Sequence, residues 1–170
     1  MKAVTIVSGG QTGVDRAALD AALDAALDAA LDAALDAALA VGATCGGWCP
    51  AGRLAEDGAI PARYPLKEMP GAGHLQRTRQ NVSDSDGTLV VVFGHPTGGT
   101  ARTVQFCRSM HKPHILVDAA TMGLEEAVNN VVAFIRLHAV ERLNVAGPRA
   151  SGEPRGYAYA RALVAGILRA

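Results

Sequence analysis

Ala-Leu-Asp-Ala occurs five times in succession from Ala18 to Ala37, and no other stretch limits the fold of this chain so strongly. Alanine and leucine are among the best helix formers, so helix is the state such a repeat takes. Its four-residue period exceeds the 3.6 residues of a helical turn, so each successive leucine is rotated by about 40°. From Leu19 through Leu23, Leu27, Leu31 and Leu35 to Leu39 the stripe turns through roughly 200°, and no flat partner can bury all six. The aspartates also recur at i, i+4 without lysine partners and repel one another by about a few tenths of a kcal/mol per pair. A helix from Val14 to Val41 is about 42 Å long, whereas a crossover helix over a small sheet needs only about 10–15 residues. Two or more turns are therefore expected to project beyond the body, and residues 18–37 read as an expanded extension of an ordinary first helix. A solenoid is excluded, because solenoid units run to about 20 residues or more.

Outside the repeat, strands and helices alternate. Ala3–Val7 is a β-branched run followed by Ser8-Gly9-Gly10-Gln11-Thr12-Gly13 and the long helix. Gly42 stops that helix, and Ala43–Gly46 is a short second strand. Gly47 to Gly73 contains Trp48, four prolines and several glycines, and reads as a long structured loop. A polar helix follows from about His74 to Ser83. Gly87–Phe93 is the clearest buried strand, fully apolar as in a parallel sheet covered on both faces. Further elements are a helix from Thr100 to about Met110, a strand at His114–Val117, a helix from Leu124 to about His138, a strand at Leu143–Ala146 and a last helix opening near Pro154. This alternation predicts an α/β fold, a Rossmann-like three-layer parallel sheet with an abnormally long first helix. At 170 residues, 49% of them hydrophobic, the chain reads as one domain spanning 1–170 with material for one core.

In such a sheet, ligands sit at the carboxyl ends of the strands, where the first turns of helices present free N–H groups. Three strand ends here are rich in glycine: Gly9–Gly13, Pro96-Thr97-Gly98-Gly99-Thr100, and Gly147-Pro148-Arg149-Ala150-Ser151-Gly152. Glycine lets the backbone approach an anion closely, and Thr12, Thr97, Thr100 and Ser151 add hydroxyl donors. Neither the dinucleotide glycine spacing nor a Walker Gly-Lys-Ser/Thr is present, so a phosphate-bearing ligand other than NAD or loop-bound ATP is expected.

The same residues carry a family resemblance. Ser8-Gly9-Gly10-Gln11-Thr12-Gly13-Val14-Asp15-Arg16 and Gly46-Gly47-Trp48-Cys49-Pro50-Ala51-Gly52-Arg53-Leu54-Ala55-Glu56-Asp57-Gly58 are its most specific motifs. Together with Arg77-Thr78, Asn81-Val82, Ser85-Asp86 and Gly98-Gly99-Thr100, they resemble the molybdenum cofactor carrier proteins over nearly the whole chain outside the repeat. The resemblance implies a Rossmann-like, homo-oligomeric protein that binds, protects and carries the molybdenum cofactor (molybdopterin) without catalysis, and that meets molybdenum-enzyme maturation proteins. Broader relatives include the cytokinin-activating phosphoribohydrolases, whose Gly-Gly-x-Gly-Thr-x-x-Glu motif supplies a hydrolytic glutamate. Here the corresponding position is Thr103, which argues for binding over glycosidic hydrolysis. The alternative is a nucleotide-processing, phosphoribohydrolase-like enzyme in which the Glu56-Asp57 loop replaces that carboxylate.

Gly9, Gly10, Gln11, Thr12, Gly13, Arg77, Asp86, Thr97, Gly98, Gly99 and Thr100 form the expected cofactor-binding set. A phosphate suits the glycine loops and the fork of Arg77. A pterin edge suits carboxylates or amides, for which Glu56, Asp57, Gln11, Asp86 and Asp118 are candidates. Trp48 offers a stacking face, although a tryptophan beside Pro50 also serves as packing for the long loop. Cys45 and Cys49 lack a second Cys or His pair nearby, so they read as structural, as does Cys107, and no metal site is expected. Of the histidines, His95 is the one expected to meet ligand. Sixteen basic residues balance 16 acidic ones, which argues against a nucleic-acid or polybasic membrane partner. Three cysteines and the absence of a hydrophobic leader before Ala3 point to a cytoplasmic protein.

Overall fold

A computed structural model describes residues 4–33 and 45–170. In chain order the elements are β1 (Thr5–Val7), α1 (Val14–Ala33), β2 (Cys45–Gly46), β3 (Trp48–Pro50), a 3-10 turn (Ala51–Arg53), β4 (Leu54–Ala55), β5 (Gly58–Ala59), β6 (Lys67–Met69), α2 (His74–Ser83), β7 (Gly87–Val92), α3 (Gly98–Ser109), β8 (His114–Asp118), α4 (Leu124–Leu137), β9 (Arg142–Ala146) and α5 (Gly156–Leu168). The main sheet is parallel throughout, in the order β2-β1-β9-β7-β8.

That order explains where a ligand can enter. If β9 is counted first, the order becomes 3-2-1-4-5, the arrangement of a dinucleotide-binding sheet without its sixth strand. The chain thus follows the usual winding from a different starting strand. From β1 it moves outward to β2, and from β7 it moves outward the other way to β8, so the switch point lies around the carboxyl end of β9.

All six residues of β7 are buried. Alternation along it separates two cores: Leu89 and Val91 join Leu163, Val164 and Ile167 of α5, whereas Val90 and Val92 meet Val104 of α3. Helices α1, α4 and α5 pack together on the first side, and α2 packs with α3 on the other. This is the expected three-layer architecture.

The repeat helix is continuous through Ala33, and its leucines leave the core as the four-residue period requires. Leu19 is fully buried, Leu23 is half-buried and Leu27 is 51% exposed, and Ala26 is buried beside it. The first aspartates of the repeat are anchored. Asp20 accepts hydrogen bonds from Tyr64 (2.8 Å) and Tyr157 (2.7 Å), and Arg161 pairs with Asp24 at 2.5 Å. The expected continuation to Val41 and the start of the second strand at Ala43 and Thr44 lie outside the described residues.

One expectation needs correction. Gly47 to Gly73 is no simple loop: it holds the parallel pair β3–β6 and the antiparallel pair β4–β5. Side chains rather than a core organise it. The Arg53 guanidinium donates to four carbonyls, those of Ile60, Pro61, Tyr64 and Leu66, at 2.9–3.1 Å. Tyr64 and Ile60 then sink into the main core beside α1.

Candidate functional site

At the carboxyl ends of β1, β9 and β7 lies a cavity of about 420 Å³. The loop after β1 gives it Gly9 and Gln11, and α1 gives it Asp15. The loop after β7 and the first turn of α3 give Thr97, Gly98, Gly99, Thr100, Arg102 and Thr103. Asn144 to Arg149 come from β9 and the loop behind it, and α2 closes the cavity with His74, Leu75, Arg77, Thr78 and Asn81. The position matches the switch point of the sheet.

Arg77 is the central cation. Its guanidinium lies against Gly9 so closely that a Cβ there would stand 1.5 Å from Nη1. Nη1 donates to Asp15 Oδ2 at 3.1 Å, and the Arg77 and Asp15 side chains are only 12% and 7% exposed. Burial pushes the Asp15 carboxyl above its usual value, while Arg77 and the backbone N–H groups of Gln11 and Gly9 pull the other way. The first glycine loop thus already points its N–H groups at an internal anion. The backbone N–H groups without a side-chain cap on this cavity are instead those at the amino end of α3.

Around this pair the cavity is cationic, with Arg102, Arg149 and the N-terminal turn of α2 facing it. His74, first residue of α2, is held below its usual value by desolvation and by Arg77 and Arg149. Thr103, where the hydrolase motif has glutamate, turns its hydroxyl to Gly99 O at 3.1 Å and brings no carboxylate. Buried Asn81 grips both backbone groups of Trp48, at 2.8 and 3.0 Å, and so ties α2 to β3.

Of the residues expected from sequence, Gly9, Gln11, Arg77, Thr97, Gly98, Gly99 and Thr100 line the cavity. Gly10, Thr12 and Gly13 sit behind it. Gly13, at φ 77°, lets the β1 loop press on the loop after β9, where a Cβ would stand 2.5 Å from Pro148 O. The Thr12 hydroxyl donates to Glu56 and accepts from Ala150 N.

Asp86 is a correction. It lies at the amino end of β7, opposite the cavity, and accepts from Glu141 N (3.1 Å) and Arg142 N (2.8 Å), which holds β9 in register. Glu56, Asp57 and Asp118 are also spent on structure. Glu56 fastens the long segment to the loop after β9 by accepting from Ser151 N (3.1 Å) and Ser151 Oγ (2.5 Å), and the hydroxyls of Ser151 and Thr12 hold its carboxyl below the usual value. Asp57 pairs with Arg16, and Asp118 accepts from Gly94 N and Ala120 N. Neither Glu56 nor Asp57 lines the cavity, so the replacement carboxylate considered for a hydrolase is not delivered there.

Trp48 is anchored by Asp84 at 2.7 Å and packs in the long segment. His95 lies outside the cavity, and His74 takes the place expected of it. Asp15, Asn81 and Asn144 also line the cavity; the first two fall within the family motifs, but nothing local in the sequence marks the three side chains as facing inward. All three cysteines are buried, burial pushes the Cys45 thiol up to about 11, and no cluster suited to a metal ion occurs among the described residues. No described helix is long and apolar enough to cross a membrane.

No match is found among curated proteins. Among solved structures, the chain resembles a crystal structure from Syntrophus aciditrophicus SB described as "Putative molybdenum carrier protein". The TM-score is 0.82 and the identity 39%, over 98% of this chain and 96% of that one. The model of the circularly permutated YpsA SLOG family matches residues 6–30 and 28–168, in keeping with a strand order that becomes regular once β9 is counted first. The chain belongs to the circularly permutated YpsA SLOG family.

Proposed function

We propose that the cavity binds a phosphate-bearing heterocycle, the molybdenum cofactor or its pterin, and that the protein carries this cargo without transforming it. The observation that supports this reading is the Arg77 guanidinium, fixed by Gly9 and Asp15 on the wall of a cavity that also receives the uncapped amino end of α3. A phosphate takes amide hydrogens from Gly98 to Thr100 and charge from Arg77, Arg102 and Arg149. The amides of Gln11 and Asn144, with the hydroxyls of Thr78 and Thr97, suit a flat donor-and-acceptor edge. The cargo is held by its organic part, since the cavity walls carry no thiol.

The neighbour's description as a molybdenum carrier favours this cargo over other phosphorylated heterocycles. In the same reading the protein is a cytoplasmic homo-oligomer that passes the cofactor to maturation proteins of molybdenum enzymes. Freshly purified protein, oxidised and extracted, is expected to release a fluorescent phosphorylated pterin, and to leave nucleoside monophosphates intact. Turnover of a nucleoside monophosphate without recovered pterin would replace the carrier with an enzyme.

A further inference from the structure

The cavity wall carries one imidazole, the side chain whose ordinary titration falls near neutral pH. His74 opens α2 behind Gly73, in the turn whose free N–H groups disfavour a cation. Facing the same space are Arg77 from its own helix, Arg149 from the loop after β9, Arg102 from α3 and Asp15 from α1. Three guanidiniums line the same cavity as the imidazole; the one carboxylate in that wall is committed to Arg77 at 3.1 Å, and Arg149 is also paired at 3.8 Å with Glu56 outside it. The arrangement opposes a further positive charge while no anion is present. An oxyanion among the arginines reverses that balance, because it neutralises the charges that hold the imidazole deprotonated.

We propose that His74 takes up a proton when an oxyanion enters the cavity, so that the site gains a fourth cation on loading and releases its ligand more readily as pH rises. This rests on the reading of the cavity as an oxyanion site and adds its regulation. The imidazole starts below its ordinary value through desolvation, then Arg77 and Arg149. Ligand binding removes the last two causes and supplies a direct anionic partner. By linkage, the pH-dependent gain in affinity equals the ratio of the two acid constants, about tenfold for each unit by which the midpoint rises.

The test uses the full-length protein and sulfate, which keeps its charge over the whole range in which histidine titrates. The His74 ring resonance, identified by its loss in His74→Gln, is followed by NMR against pH in sulfate and in sodium chloride of equal ionic strength. Calorimetry under the same conditions reports whether sulfate binds. The expected result is a midpoint raised by about half a unit or more in sulfate, with affinity at least about threefold higher at low pH. That pH dependence should vanish in His74→Gln and survive in His95→Gln. Sulfate that binds while the His74 midpoint stays still overturns the proposal and leaves the oxyanion site standing. A pH step that persists in His74→Gln also overturns it, and assigns the proton to Asp15. If sulfate does not bind at all, the reading of the site falls and the proposal falls with it.

Discussion

Gly9→Ala is a one-atom test of how the site is held together. The added Cβ would lie 1.5 Å from Arg77 Nη1, 2.2 Å from Cζ and 2.9 Å from Nε, so the guanidinium must leave its place. Gly9 does not have a positive φ, so the alanine backbone itself is unstrained and the effect is the displaced side chain. Its departure strips Asp15, only 5% exposed, of the one ionic partner it has among the described residues. Breaking a buried ion pair costs about 3–5 kcal/mol, less whatever Asp15 recovers by protonation and from the N–H groups of Gln11 and Gly9. A loss of roughly 2–4 kcal/mol follows, or about 4–16 °C in Tm at about 2–4 °C per kcal/mol for a chain of this size. The sign of its pH dependence is fixed by Asp15. A carboxyl raised by burial binds its proton more readily folded than unfolded, so it costs stability at neutral pH, and that cost fades as pH falls toward its unfolded value near 3.8. Gly9→Ala should therefore be most damaging at neutral pH and less so near pH 5. Thermal melts at both pH values measure this. A variant that melts with the parent at neutral pH and still binds phosphate would refute the packing of Arg77 on Gly9.

Three further outcomes are expected. Gly99→Val should fold normally, because open space surrounds that Cβ position and the φ is ordinary. It should nevertheless bind phosphate ligands poorly by titration, since its side chain stands where the anion approaches the backbone. Leu19→Ala should cost about 2–5 kcal/mol in denaturant unfolding and Leu27→Ala under about 0.5, which marks where the helix leaves the body. Glu56→Gln should expose the Gly47–Gly73 segment to trypsin at Arg53 and Arg63. In the parent the same release should appear as pH falls below the usual carboxylate value of 4.5 and through the lowered one of Glu56.

Legibility of the sequence followed how local each signal is. Strand β7 was plain because Leu89 to Val92 form an unbroken run of large apolar residues, and all six residues of the strand are buried. The exit of the repeat helix from the core was plain too, since it depends only on 4 against 3.6. Strand order is a matter of pairing between distant segments and had no local trace. The β3–β6 and β4–β5 pairs were missed because Arg53 and Glu56 organise them through side-chain bonds, in a stretch whose glycines and prolines read as loop. Asp86 illustrates the reverse error: a carboxylate beside a glycine looks available, and only the fold shows it at the far end of the sheet. Asp15 stands in the first turn of α1, where nothing in the local sequence distinguishes an inward acid from a solvent-facing one. The fold turns that acid inward onto Arg77, where it fills the anion site of its own loop.

The most direct test of the account is a comparison of two ligands that differ only in their phosphate. An oxidised pterin bearing the phosphate, and the same pterin after phosphatase treatment, are titrated by fluorescence into the full-length protein and into Arg77→Ala. The account predicts that only the phosphorylated form binds tightly, and that Arg77→Ala weakens it by about 1.5–3 kcal/mol, roughly 10- to 150-fold, with the fold intact by circular dichroism. Equal binding of the two pterins, or an affinity unchanged by Arg77→Ala, would contradict the claim that this cavity reads its cargo through the phosphate.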